Sequence, residues 1–108
     1  MTGFTAPKIL WVRNNEPEVF RRVAHVLLPK DYVRYRLTDQ YAVDRAGGAG
    51  TILFDLARRT WSQEILAGLD LDPAFFPPTF EGHETTGLVT ANAAEATGLA
   101  PGTPVVAG

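Results

Sequence analysis

The stretch Leu27–Asp44, LLPKDYVRYRLTDQYAVD, decides how the chain is read. Pro29 suits the first turn of a helix, where its missing N–H would have no intrahelical partner. Leu28, Tyr32, Val33 and Leu37 recur at helical spacing and are expected to form the apolar side. Lys30, Arg34 and Arg36 are expected on the wet side, and Thr38-Asp39-Gln40 breaks the helix. Beyond Asp44 the glycines at 47, 48 and 50 predict a loop or tight turn. Thr51-Ile52-Leu53-Phe54-Asp55-Leu56 is rich in strand formers.

Upstream lies GFTAPKILWVRNN, Gly3–Asn15. Thr5 is placed to cap a helix whose first turn holds Ala6 and Pro7. Ile9, Leu10, Trp11 and Val12 form an unbroken apolar run, which predicts burial on more than one side and puts Trp11 in the core. Pro17 opens a second helix expected to carry Val19, Phe20, Val23, Ala24 and Leu27.

Downstream, Ser62 caps a helix carrying Ile65, Leu66 and Leu69, after a turn at ARRTW. The segment DLDPAFFPPTF is punctuated by proline and reads as a packed irregular connection. Thr85 to Thr90 is a strand candidate. Ala91 to Thr97 is a short helix, with Gly98 as its left-handed C-terminal residue. Pro101-Gly102 turns into the strand Thr103–Ala107, whose apolar Val105-Val106-Ala107 predicts cover on both faces in a parallel or mixed central sheet. The class is α/β, helix-rich with a few short strands. Three strand candidates are too few to partner such a sheet, so the sequence predicts that part of the structure lies elsewhere.

The 108 residues suit one small domain, 1–108. With 45% hydrophobic and 20% charged residues the chain reads as globular. Ten basic against twelve acidic residues leave no basic surplus for a general nucleic-acid binder. Cysteine is absent, which removes disulfide and thiolate-metal chemistry and fits a reducing cytoplasm. No apolar run is long enough to span a membrane, and no signal peptide is visible.

Gly3, Thr5, Lys8, Trp11, Asn14 and Asn15 satisfy a signature of the FGGY carbohydrate kinases, which the chain resembles. That pattern wants glycine or an aromatic, a small residue two on, lysine three later, tryptophan three beyond it, and a polar pair at the end. LLPKDYVRYRLTDQYAVD, GTILFDLARRTWSQEIL and PPTFEGHETTGLVTANAAEATGLAPGTPVVAG are similar to successive family segments, so the resemblance runs along nearly the whole chain. Within the family the early glycine and the FTAPK wording are shared with xylulokinases.

The resemblance implies a partial ribonuclease-H-like domain of the actin-like ATPase superfamily, an interior slice of the sugar-binding N-terminal domain. It implies a parent enzyme that uses Mg-ATP to phosphorylate a ketopentose such as D-xylulose, with sugar and ATP as its partners. Such transfer needs an oriented acceptor, a group to take its proton, and cations to offset phosphate charge. In the family the proton acceptor is an aspartate shortly after the VVAG strand, so no catalytic residue is assigned here and the isolated chain is expected to be inactive. No cofactor is expected to bind it alone.

The resemblance marks Asp44 as the cleft-side candidate for substrate binding. It matches the acidic residue of the family's Asp-x-Ser-Asp-Ala-x-Gly-Thr-like turn, from which Ala46 and Gly47 depart. Acceptance of backbone N–H bonds in the turn is the favoured role for Asp44, ahead of a direct sugar contact. GGAGT lacks the lysine of a phosphate loop and reads as a turn. Lys8 reads as a helix-surface lysine. His25 and His83 have no second ligand at metal spacing, so no metal site is expected. Arg21-Arg22 and Arg58-Arg59 read as solvated pairs. Two other classes stay open: a non-catalytic sugar-binding or regulatory module, and a structural fragment that self-associates through exposed sheet edges.

Overall fold

The computed structural model describes residues 4–108, so Gly3 lies outside the described residues. In chain order the first elements are α1 (Thr5–Asn15), α2 (Pro17–Phe20), α3 (Pro29–Thr38), β1 (Val43–Asp44), α4 (Arg45–Ala49), β2 (Phe54–Asp55) and β3 (Thr60–Trp61). They continue with α5 (Gln63–Gly68), a 3-10 turn (Pro73–Phe75), β4 (Thr79–Phe80), β5 (Thr85–Leu88), α6 (Ala91–Thr97) and β6 (Pro104–Val106). Two compact units result: Met1–Val26 with Gly47–Phe76, and Leu27–Ala46 with Pro77–Gly108.

In the first unit Thr5 begins α1 rather than capping it; Phe4 holds the cap position in extended backbone. Ala6 is the one described residue of α1 that is buried, and its N–H donates to the Thr51 carbonyl at 3.1 Å. Trp11 is 57% exposed, so the core placement expected for it is wrong. It stands five residues from Ala6, roughly 140° around the helix, and the apolar run shows it to solvent. The second helix stops at Phe20. Val23, Ala24 and Leu27, expected on it, lie beyond its end, and Leu28, which precedes Pro29, is in extended backbone at a ψ of 158°. The Phe20 ring meets Phe75 edge-on at 5.8 Å, and the Val26 N–H donates to the Phe75 carbonyl at 2.7 Å.

The core of this unit is Leu53, Leu66, Leu71, Trp61 and Phe76. Only Phe54–Asp55 of the expected strand pairs, antiparallel with Thr60–Trp61. The run breaks earlier because Ile52 takes a left-handed φ of 72° and the Thr51 hydroxyl accepts the Leu53 N–H at 3.1 Å. Asp55 Oδ1 accepts the N–H groups of Ala57 and Arg58, both at 3.0 Å, which fixes the hairpin loop. Ser62 caps α5 as expected, accepting from the Ile65 N–H at 3.2 Å. The glycine run is not a plain loop: Arg45–Ala49 is one turn of helix, closed by Gly50 N–H to Gly47 O at 3.1 Å.

In the second unit β1 pairs parallel with β4, and β5 antiparallel with β6. Gly98 ends α6 at a φ of 80°, at the expected position, and Thr90, read from the sequence as the end of a strand, caps it instead. Val89, Ala93 and Ala94 form a small apolar cluster against Leu37 and Val105. The terminal strand departs from expectation. It is antiparallel, Val106 is 42% exposed, and only Ala107 beyond it is buried. Among the described residues β6 has β5 as its one strand neighbour, so it lies in a two-stranded sheet and not at the centre of a larger one.

Helix α3 has the expected bounds, and Leu37 packs inward while Lys30 and Arg36 are exposed, as expected; Tyr32, Val33 and Arg34 depart from the expected faces. Asp31, Arg34 and Thr38 are buried, whereas Tyr32 is 49% and Val33 59% exposed.

Candidate functional site

The buried polar stripe of α3 is the centre of the second unit's polar chemistry. Asp31, Arg34 and Thr38 follow at i, i+3 and i+7, one stripe of the helix. The Arg34 guanidinium donates to Asp31 Oδ1, to the Ala42 carbonyl at 2.8 Å and to the Ala107 carbonyl at 2.6 Å. One fork therefore holds one oxygen of a carboxylate and two backbone carbonyls. The Thr38 hydroxyl donates to the Arg34 carbonyl at 3.0 Å and accepts the Gln40 N–H at 3.2 Å. Asp39, in left-handed backbone at a φ of 60°, then turns the chain toward β1.

Asp31 is wholly buried, and its Oδ2 has no hydrogen-bond partner among the described residues. Burial pushes its carboxyl above the ordinary 3.8; Arg34, and more weakly Lys30, pull it down, while the Asp44 charge pushes it up. Desolvation thus outweighs the guanidinium beside it.

Asp44 closes β1, just past the carbonyl held by Arg34. Its side chain is 7% exposed and pairs through Oδ1 with the Lys30 ammonium, whose side chain is 49% exposed. Next to it Arg45 Nη1 donates to Glu81 Oε1 at 3.0 Å, and Arg45 Nε to Thr79 Oγ1 at 3.4 Å, tying the end of β1 to the β4 side. The residues thus brought together are Lys30, Asp31, Arg34 and Asp44, two cations and two carboxylates with Arg45–Glu81 alongside.

The sequence singled out Asp44 alone. Lys30 and Arg34 were put on a wet face and Asp31 went unremarked, although Asp31 and Arg34 carried an i, i+3 charge pattern. The described signature residues all lie on α1 of the first unit: Thr5 half-buried, Lys8, Trp11, Asn14 and Asn15 exposed. Asn15 Nδ2 donates to the Trp11 carbonyl at 2.9 Å, a local helix-end bond. Trp61 is packed, with Phe54 edge-on at 5.7 Å and Phe76 at 5.0 Å. Gly48 abuts the Phe54 ring, which accounts for one glycine of the run by packing. Among the described residues no group of three or more His, Cys, Asp or Glu is placed to hold a metal ion. No described helix is long and apolar enough to cross a membrane.

The model of the FGGY family of carbohydrate kinases, N-terminal domain, matches residues 1–108. The chain belongs to the FGGY family of carbohydrate kinases. An FGGY relative, the xylulose kinase of Escherichia coli K12, is 49% identical over all of this chain and 22% of its own length. The xylulose kinase of Bacillus subtilis is 41% identical over the same shares. The crystal structure of a xyloylose kinase from Brucella ovis matches with a TM-score of 0.89 and 42% identity over 98% of this chain and 22% of that one. The chain thus spans about a fifth of the length of the curated relatives it matches. Its fold is the expected α/β one of the FGGY kinases, actin-like ATPase in superfamily, seen here as a mixed helix and strand portion.

Proposed function

We propose that this chain is part of an ATP-dependent sugar kinase that phosphorylates a ketopentose such as D-xylulose. The observation that carries the reading is 49% identity to a xylulose kinase along the full 108 residues, with no stretch of the chain left outside the match. The chain supplies interior scaffold of the sugar-binding N-terminal domain, in a cytoplasmic enzyme. Mg-ATP belongs to the parent enzyme, and neither the nucleotide site nor the proton-accepting carboxylate lies within these residues.

The carboxylates of this chain support that division of labour. Asp55 fixes a hairpin loop, Asp72 caps the 3-10 turn, and Asp31 is held by Arg34. Asp44 is the residue of this chain proposed to meet the sugar. It ends a short buried strand, and although its own side chain is only 7% exposed, the Lys30 end of its ion pair is half exposed.

The test is ADP release by the full-length protein with Mg-ATP and a panel of D-xylulose, D-ribulose, glycerol and gluconate. Turnover with D-xylulose well above the others is expected; preference for another acceptor overturns the substrate. The isolated 108-residue chain is expected to release no ADP above a blank, and clear turnover by it would place the catalytic groups inside it.

A further inference from the structure

We infer that Lys30 is a positioning residue that holds the Asp44 carboxylate in one orientation toward the sugar. This rests on the reading of Asp44 as a sugar contact. Asp44 sits at the end of a two-residue strand, where ladder hydrogen bonds constrain its backbone little beyond the Thr79 and Phe80 register. Its backbone is set from the preceding side, because Arg34 grips the Ala42 carbonyl. Its side chain is set by Lys30, which reaches Oδ1 from the first turn of α3.

The two partners are unlike in a way that matters. Asp44 is buried and Lys30 half exposed, so the pair desolvates the acid while the ammonium keeps much of its water. An ammonium in that place offsets the burial of the carboxylate without the full cost of a buried pair. Arg34 cannot substitute, since its guanidinium is committed to Asp31 and two carbonyls. Arg45, the next residue, is turned to Glu81 and Thr79. Lys30 meets the Asp44 carboxylate from the solvent side, with its own side chain half exposed. A sugar hydroxyl arriving there would find the acceptor preset, and no side chain would have to be ordered on binding.

The experiment measures KM for D-xylulose, KM for ATP and kcat in the full-length kinase carrying Lys30→Met, Lys30→Arg or Asp44→Asn, with melting temperatures alongside. Lys30→Met is expected to raise the sugar KM by roughly tenfold, the size of one lost charged hydrogen bond. KM for ATP should stay put, and Lys30→Arg should recover most of the loss. A purely structural lysine would lower the melting temperature and leave the sugar KM where it was. If Asp44→Asn raises the sugar KM and Lys30→Met does not, the positioning role is wrong and the site survives. If neither moves it, Asp44 is no sugar contact and the inference goes with it. Lys30→Gln, which keeps a neutral donor, replaces Lys30→Met in every comparison should the latter fail to fold.

Discussion

Arg34 donates to the carbonyl of Ala107 across 73 residues of sequence, at 2.6 Å, while the same guanidinium holds Asp31. The net stability that a buried cation of this kind contributes is small, since its desolvation offsets the attraction. Breaking it from one side is costly. Arg34→Met leaves a buried carboxylate and two orphaned carbonyls, and a loss of about 3–5 kcal/mol is expected in chemical denaturation. Adding Asp31→Leu to Arg34→Met should cost less than the sum of the two single changes, because the lone charge is removed with its partner. Additive losses would show that the two side chains do not act as a pair.

The pH dependence of stability follows from the raised carboxyl of Asp31. A carboxyl that binds its proton more tightly in the folded state favours folding most when protonated. The contribution is complete below 3.8, the ordinary value, and is lost as pH climbs through the raised one. The groups acting on it are Arg34, Lys30 and Asp44. Asp31→Asn cannot titrate, so it serves as the reference. The stability of the unaltered protein minus that of Asp31→Asn should fall as pH rises from that value, then level off once Asp31 is ionised. A difference that grows with pH would mean that Arg34 outweighs burial.

Trp11 and Trp61 are the only tryptophans of the chain, and they stand in opposite surroundings. Trp61→Ala empties a packed position between Phe54 and Phe76, with an expected loss of about 3–5 kcal/mol. Trp11→Ala should fall within about 0.5 kcal/mol of the parent, as exposed substitutions do. Fluorescence separates the two directly. In the 108-residue chain Trp61→Phe leaves Trp11 as the one tryptophan, and its emission should be red-shifted and readily quenched by acrylamide. A blue-shifted, protected emission would show that Trp11 is covered in solution.

Local chemistry was legible in the sequence where one residue decides the outcome. The Ser62 cap, the left-handed Gly98 and the Pro29 start of α3 needed no tertiary information, and each stands where it was expected. Faces were not legible. Tyr32 and Val33 looked like core and Arg34 like surface because periodicity counts apolar side chains, whereas this helix buries an ion pair. No hydrophobicity pattern reveals that Arg34 will meet carbonyls 8 and 73 residues away. The terminal strand failed for a related reason: three valine and alanine residues fit a covered strand, but the antiparallel partner β5 leaves Val106 in solvent. For the candidate site, Asp44 was visible through resemblance. Lys30 was hidden because a lysine in a helix's first turn ordinarily faces water.

The glycine run offers a last test, of packing against ligand binding. A Cβ on Gly48 would lie 3.0 Å from the Phe54 ring. That ring is pinned edge-on by Trp61, so it cannot swing aside freely. Gly48→Ala should therefore cost about 1–3 kcal/mol, the usual range for overpacking. Phe54→Leu shortens the obstructing group, and the double variant should recover part of the loss even though Phe54→Leu alone destabilises. Recovery of this kind is specific to a steric cause. A glycine kept for close approach of a phosphate would show a different pattern: full stability in Gly48→Ala, a raised KM for ATP in the full-length kinase, and no rescue by Phe54→Leu. Denaturation midpoints of the three variants, set beside KM for ATP, discriminate the two, and stability loss with rescue at unchanged KM is the expected result.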